Sequence, residues 1–160
     1  MKENKMAHKA RISAVVIVWL DLAVNFIHAL AHIGTNIWLS FLGNVFVVVV
    51  ILVAPLVSLF LLHTARLEWL GALLLFLSML AAFLFGVWNH FLLPGSDNVT
   101  HVPPGVWQQP FQVTAVLLTI LQAAGTGIGI WCLSEAIGPH ALRRAEIGST
   151  VGERRVNGEM

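Results

Sequence analysis

Four long runs of apolar residues constrain this chain more than any other feature of its sequence. They cover roughly Ile12–Ile33, Phe41–Leu62, Leu67–Trp88 and Phe111–Leu133. Each approaches the ~20 residues that a helix rising about 1.5 Å per residue needs to cross a ~30 Å hydrocarbon layer. The runs lack period-two alternation and are about twice as long as a tilted membrane strand requires. Inside hydrocarbon, backbone hydrogen bonds must close within each segment, so helices are the consistent reading. The expected fold class is all-α: an integral membrane four-helix bundle. Residues 1–11 form a basic N-terminal segment, 12–133 the four-span transmembrane domain, and 134–160 a cytoplasmic polar tail. Beyond Gly138-Pro139 the tail is expected to fray.

Charge is scarce, and its placement sets the orientation. Only 11% of the 160 residues are charged, 58% are hydrophobic, and the mean hydropathy is +0.82. A soluble domain carries about 25% charged residues. The shortfall excludes a water-coated globule, a disordered chain and a nucleic-acid-binding domain. All nine basic residues fall in the head (Lys2, Lys5, Lys9, Arg11), the second link (Arg66) and the tail (Arg143, Arg144, Arg154, Arg155). Four spans put all of these on one side, and the first and third links carry none. By the positive-inside rule both termini are cytoplasmic, in a plasma membrane spanned several times. Trp38, Trp88 and Trp107 then lie at the outer interface, and Trp69 and Trp131 at the inner one. Trp19 alone falls inside a span. Ala29-Leu30-Ala31 resembles a leader cleavage motif, but the preceding run is long and interrupted by Asp21 and Asn25, so span one is expected to be retained.

The links add local detail. The first two are short and predict antiparallel hairpins. The third, about Asn89–Pro110, is rich in turn formers such as Leu93-Pro94-Gly95-Ser96-Asp97-Asn98 and Pro103-Pro104-Gly105. Its Val102, Val106, Trp107 and Phe111 suggest a segment lying on the outer surface and partly capping the bundle. Asn98-Val99-Thr100 fits the N-glycosylation pattern. Cys132 is the only cysteine, which excludes an intrachain disulfide; it reads as a small apolar residue.

Polar residues inside the spans carry most of the information. Asp21, Asn25, His28 and His32 are separated by four, three and four residues, which places them on one helical face. Span four carries a stripe of Gln108, Gln112, Thr119, Gln122 and Thr126, with Ala115 and Gly129 between them. Span three has Gly71, Ser78, Ala82 and Asn89 in common phase, and span two has Asn44, Pro55 and Ser58. These stripes should face one another. Counting at 1.5 Å per residue puts Asp21, Ser78 and Gln122 about 14–16 Å from the inner boundary, near the midplane. Asn25, Asn44, Asn89, Gln112 and Thr119 extend a polar lane outward. Gly125 and Gly129 form a GxxxG pair that reads as packing within the bundle. Pro55 should bend span two and free a carbonyl in the preceding turn.

Two chemistries follow. The spacing of His28 and His32 points two imidazoles at one centre, with His90, His101 and Asp97 as further candidate ligands for a transition metal or a haem. Asp21 is a carboxylate where insertion costs roughly 2.5–3.5 kcal/mol, and no Lys or Arg in any span pairs with it. The first function expected is a metal- or haem-binding membrane protein, with Asn44, Asn89 and Gln112 around the histidines. An alternative is a small proton-coupled transporter or channel-like subunit using Asp21, which calls for a homodimer or larger membrane complex because one bundle is narrow. A third is a non-catalytic scaffold or accessory subunit. The sequence contains no nucleophile–base arrangement, phosphate-cradling loop or cysteine redox pair, so enzyme chemistry would enter only through a cofactor. The expected surroundings are the lipid bilayer, with no nucleic acid.

Overall fold

The structure, a computed structural model, describes residues 8–158, with side chains described for residues 8–138. Every regular element among the described residues is helical. The helices are α1 (His8–Thr35), α2 (Phe41–Leu62), α3 (Glu68–Leu92) and α4 (Gln108–Gly158). All four are long and apolar enough to cross a membrane, in α4 over Gln108–Gly138. Several boundaries differ from the expected ones: α1 begins at His8 and not Ile12, and α4 at Gln108 and not Phe111. Helix α3 continues past Trp88 because Trp88–Leu92 forms a π turn. Helix α4 runs on to Gly158 where fraying was expected. Pro139 removes one donor from the helical ladder, but Ala141-Leu142-Arg143-Arg144-Ala145-Glu146 consists of strong helix formers that carry it on.

Local chemistry explains where the helices stop and bend. Asn36 ends α1 in the left-handed region at φ 56. The Asn36 N–H donates to Ile33 O and the Ile37 N–H to His32 O, both at 3.1 Å. This crossed pair is the Schellman stop, and asparagine tolerates its φ better than most residues. Ser40 caps α2 by accepting from Gly43 N at 3.1 Å. Pro55 supplies no N–H to the turn before it. The helix absorbs this with a π segment at Val47–Val53, closed by Ala54 N–H donating to Val49 O, one residue further back than in an α-helix.

Helix α4 packs along both α1 and α3, and α3 packs along α2. Helix α1 meets α2 chiefly at the segment Ala54–Leu62, so the ring of helices closes at the end that holds residue 8 and spreads at the other. The closed half is a core of Ala10, Ala14, Ile17, Val18, Leu59, Leu62, Ala72, Leu75, Met79 and Cys132. Small residues bring the backbones together there. A Cβ on Gly129 would sit 2.6 Å from Phe76 Cα, and one on Gly125 would sit 2.9 Å from Met79 Sδ. Arg11 Nη2 pairs with Glu68 Oε1 at 2.5 Å and ties the start of α1 to the start of α3. At the spread end a second cluster of Ala31, Ile37, Val102 and Phe111, with Val99 beside it, draws the third link over the bundle. Trp107 lies on the last turn of α1, where a Cβ on Gly34 would fall 2.3 Å from its ring. Large apolar side chains such as Trp19, Phe26, Phe60, Leu84 and Ile120 cover the outside.

Gly129→Ala should lower stability by about 1–3 kcal/mol, because the new methyl meets backbone that cannot step aside. Gly127→Ala, whose Cβ meets nothing within 4 Å, should leave the melting temperature in detergent unchanged.

Candidate metal centre

The site forms where α1, the π turn of α3 and the first turns of α4 converge. The spacing along α1 places His28 and His32 one turn apart, and the π turn brings His90 in from α3. His28 and His90 are buried and His32 is partly so. The ring nitrogens meet: His28 Nε2 lies 3.2 Å from His90 Nε2 and 3.2 Å from His32 Nε2. One ligand atom from each of the three falls within 4.8 Å of the others, the one such group among the described residues. Phe111 packs beside all three rings, with centroids 4.9, 4.8 and 5.6 Å from His28, His32 and His90.

The other ring nitrogens decide where the protons are. His32 Nδ1 lies 3.2 Å from Ile37 O, and His90 Nδ1 lies 3.1 Å from Asp97 O. A carbonyl only accepts, so both Nδ1 atoms donate. His28 Nδ1 lies 2.8 Å from Thr114 Oγ1. That hydroxyl donates its own hydrogen into the helix, to Pro110 O at 2.7 Å, so its oxygen accepts from His28 Nδ1. With the hydrogen on Nδ1 of all three imidazoles, each Nε2 is left bare, and that of His28 faces the other two. His28 Nε2 then meets two other acceptors at 3.2 Å with no hydrogen between them, and a cation at this point satisfies all three.

The third link supplies charge. Asp97 Oδ1 lies 3.3 Å from His90 Nδ1 and 3.5 Å from His32 Nε2. Both carboxylate oxygens are buried and neither is in hydrogen-bond geometry with a donor among the described residues. The neighbouring Asn98 holds the turn in place: its Oδ1 accepts from Thr100 N and Thr100 Oγ1, and its Nδ2 donates to Leu93 O. Asn98 is buried, so its side-chain nitrogen is committed to the fold and is closed to a glycan, contrary to the sequence motif.

Other sequence candidates lie elsewhere. His101 is exposed and stands outside the histidine group, because the turn at Asn98 carries it away from the ring nitrogens. Asn44, Asn89 and Gln112 bond to the backbone oxygens of Leu39, Phe85 and Val99, not to imidazoles. Ser78 and Thr119 bond back to Leu75 O and Ala115 O on their own helices. Asp21 is buried, with Oδ2 accepting from Asn25 Nδ2 at 3.0 Å and Oδ1 without a donor among the described residues. Gln122 adjoins it, and its Oε1 likewise has no donor there. Asn25, Asn44, Thr119 and Gln122 share with the three histidines the wall of a cavity of about 220 Å³. Sequence reasoning missed Thr114, Phe111 and the Ile37 carbonyl. Thr114 and Phe111 belong to the buried arc Phe111, Thr114, Ala115, Leu118 and Gln122, which overlaps the polar stripe at Ala115 and Gln122 and is turned slightly from it. The i, i+3, i+4 pattern of that arc was the available signal.

No protein-family model, no curated protein and no solved structure matches the chain. The site is therefore read from its own geometry.

The stop at Asn36 aims the Ile37 carbonyl at His32. Asn36→Val places a β-branched residue in the left-handed region and should cost about 1–2 kcal/mol. Asn36→Gly should melt in detergent at or near the wild-type temperature.

Proposed function

We propose that this protein is a four-span membrane protein that holds a transition-metal ion through His28, His32 and His90 at the end of the bundle opposite its termini. The termini face the cytoplasm in this reading, which rests on the segregation of basic residues, and the plasma membrane is the proposed location. One observation carries the metal assignment: the Nε2 atoms of three histidines converge while each Nδ1 lies against an oxygen. Tetrahedral bonds of about 2.05 Å set neighbouring ligand nitrogens about 3.3 Å apart, close to the 3.2 Å that separates His28 Nε2 from each of the other two. Anchored Nδ1–H groups are also how metal-binding histidines are oriented in general. Asp97 holds His90 Nδ1 through its backbone oxygen and places its negative charge next to the ion. Imidazole donors suit zinc, copper or iron. A haem fits less well, because axial ligands must stand on opposite sides of the ring and these three nitrogens meet at one point.

Gently purified protein should carry close to one equivalent of metal by elemental analysis. His28→Ala and His90→Ala should each abolish it, and Thr114→Val should weaken binding about 10–100-fold by releasing the His28 ring. Metal-free protein that also takes up no zinc or cobalt would end this reading.

A second reading, proton or cation coupling at Asp21, is favoured by a separate observation. Asp21 Oδ1 and Gln122 Oε1 are buried acceptors without donors among the described residues, and Asn25 and Gln122 connect that level to the cavity. One proton or small cation would relieve such an acceptor. In proteoliposomes loaded with a pH-sensitive dye, Asp21→Asn should abolish proton flux driven by an imposed membrane potential while leaving the fold and the bound metal intact. Unchanged flux would remove Asp21 from the function.

A further inference from the structure

The cavity beside the histidines extends away from them along the bundle. His28, His32 and His90 all line it with Asp97 beside them, so an ion held by the three imidazoles would border this space. Three protein ligands with an exchangeable fourth position are the arrangement of binding and catalytic sites, whereas structural sites are closed. At the other end the wall includes Gln122, 3% exposed, with Oε1 lacking a donor among the described residues. That oxygen faces Gly86, also in the wall, where an added Cβ would lie 3.5 Å from it. Gln122 is two helical turns further along α4 than Thr114, the partner of His28, a span of about 12 Å. Between the two ends the wall is mostly apolar, with Ile51, Phe85, Ala115 and Leu118.

We infer that this cavity is a binding chamber for a small neutral molecule that offers a lone pair to the metal at one end and an O–H or N–H to Gln122 Oε1 at the other. The inference rests on the metal reading and deepens it by naming a ligand class. Size limits the class. An apolar cavity of about 150 Å³ takes benzene, so about 220 Å³ takes about nine or ten non-hydrogen atoms with an apolar middle. Drug-sized ligands need larger pockets, of about 300 Å³ or more. The buried, unmet acceptor selects for the donor end, because leaving it unpaired on binding sacrifices the bond that a hydroxyl supplies.

Cobalt-loaded protein in detergent provides the test, with 4-pyridinepropanol as the probe and 4-propylpyridine as its counterpart without the hydroxyl. The visible cobalt band should shift on titration with either, with 4-pyridinepropanol binding about fivefold to tenfold more tightly. Gln122→Leu should erase that difference and retain the band. Gly86→Leu, which fills the chamber from α3, should retain the band and abolish the shift. If Gly86→Leu does not hold cobalt, Ala115→Leu fills the chamber from α4 and is read in the same way. A cobalt band that neither pyridine moves, or a shift that survives both filling variants, would overturn the chamber. No cobalt band in the wild-type protein would instead overturn the metal reading beneath it.

Discussion

The bundle depends on close approach of backbones where side chains are absent. Its outside is covered with large apolar groups, and in a bilayer such a surface finds inside and outside alike, so that burial alone would do little to choose a partner. Contact distance chooses. Gly129 lies against the Phe76 backbone and Gly125 against Met79, which clamps α4 to α3 along their shared length. Ala10 and Ala14 let α1 settle on the same core beside Cys132. The clamp is tight at one end of the molecule, and the helices diverge toward the other. Closed core and open cavity are thus two ends of one packing arrangement.

Where the helices diverge, polar groups take over. Each histidine is held at its far nitrogen by an oxygen whose position was set for another reason: the end of α1, the turn of the third link, and a threonine bonded into its own helix. The anchors come from three separate parts of the chain. None uses a flexible long side chain, so the rings have little freedom to turn away. The result is a cluster of lone pairs enforced from outside, with Asp97 as the only carboxylate beside it among the described residues.

Much of this was legible in the sequence. Four runs of about twenty apolar residues imply four helices, because nothing else closes its hydrogen bonds within such a length. The pairing of His28 with His32 followed from helical period, and Asp97 and His90 from their place at the same end. What was lost follows from departures from that period. The inward arc of α4 is turned slightly from its polar stripe, so Gln112 was favoured and Thr114 overlooked. The Ile37 carbonyl is a backbone group aimed by a stop signal, and no side-chain pattern reports it. His101 looked close because it is close in sequence, but a turn held by Asn98 carries it outward. Helix formers after Pro139 outweighed the proline.

The two π segments lie beside the same cavity: Val47 and Ile51 from one and His90 from the other form part of its wall. A π turn is an α-helix that has accommodated an extra residue, and it advances fewer degrees per residue. In α3 this wider turn centres His90 on the inward face and leaves Asn89 at its edge. The chamber is thus shaped by chain length as well as by side-chain size. A lineage that lost one residue from Trp88–Leu92 would keep all three histidines in its sequence and still take one of them out of register. Histidine content alone is therefore a poor guide to which descendants of such a bundle retain the centre, and the spacing between Ala82 and Asp97 is a better one.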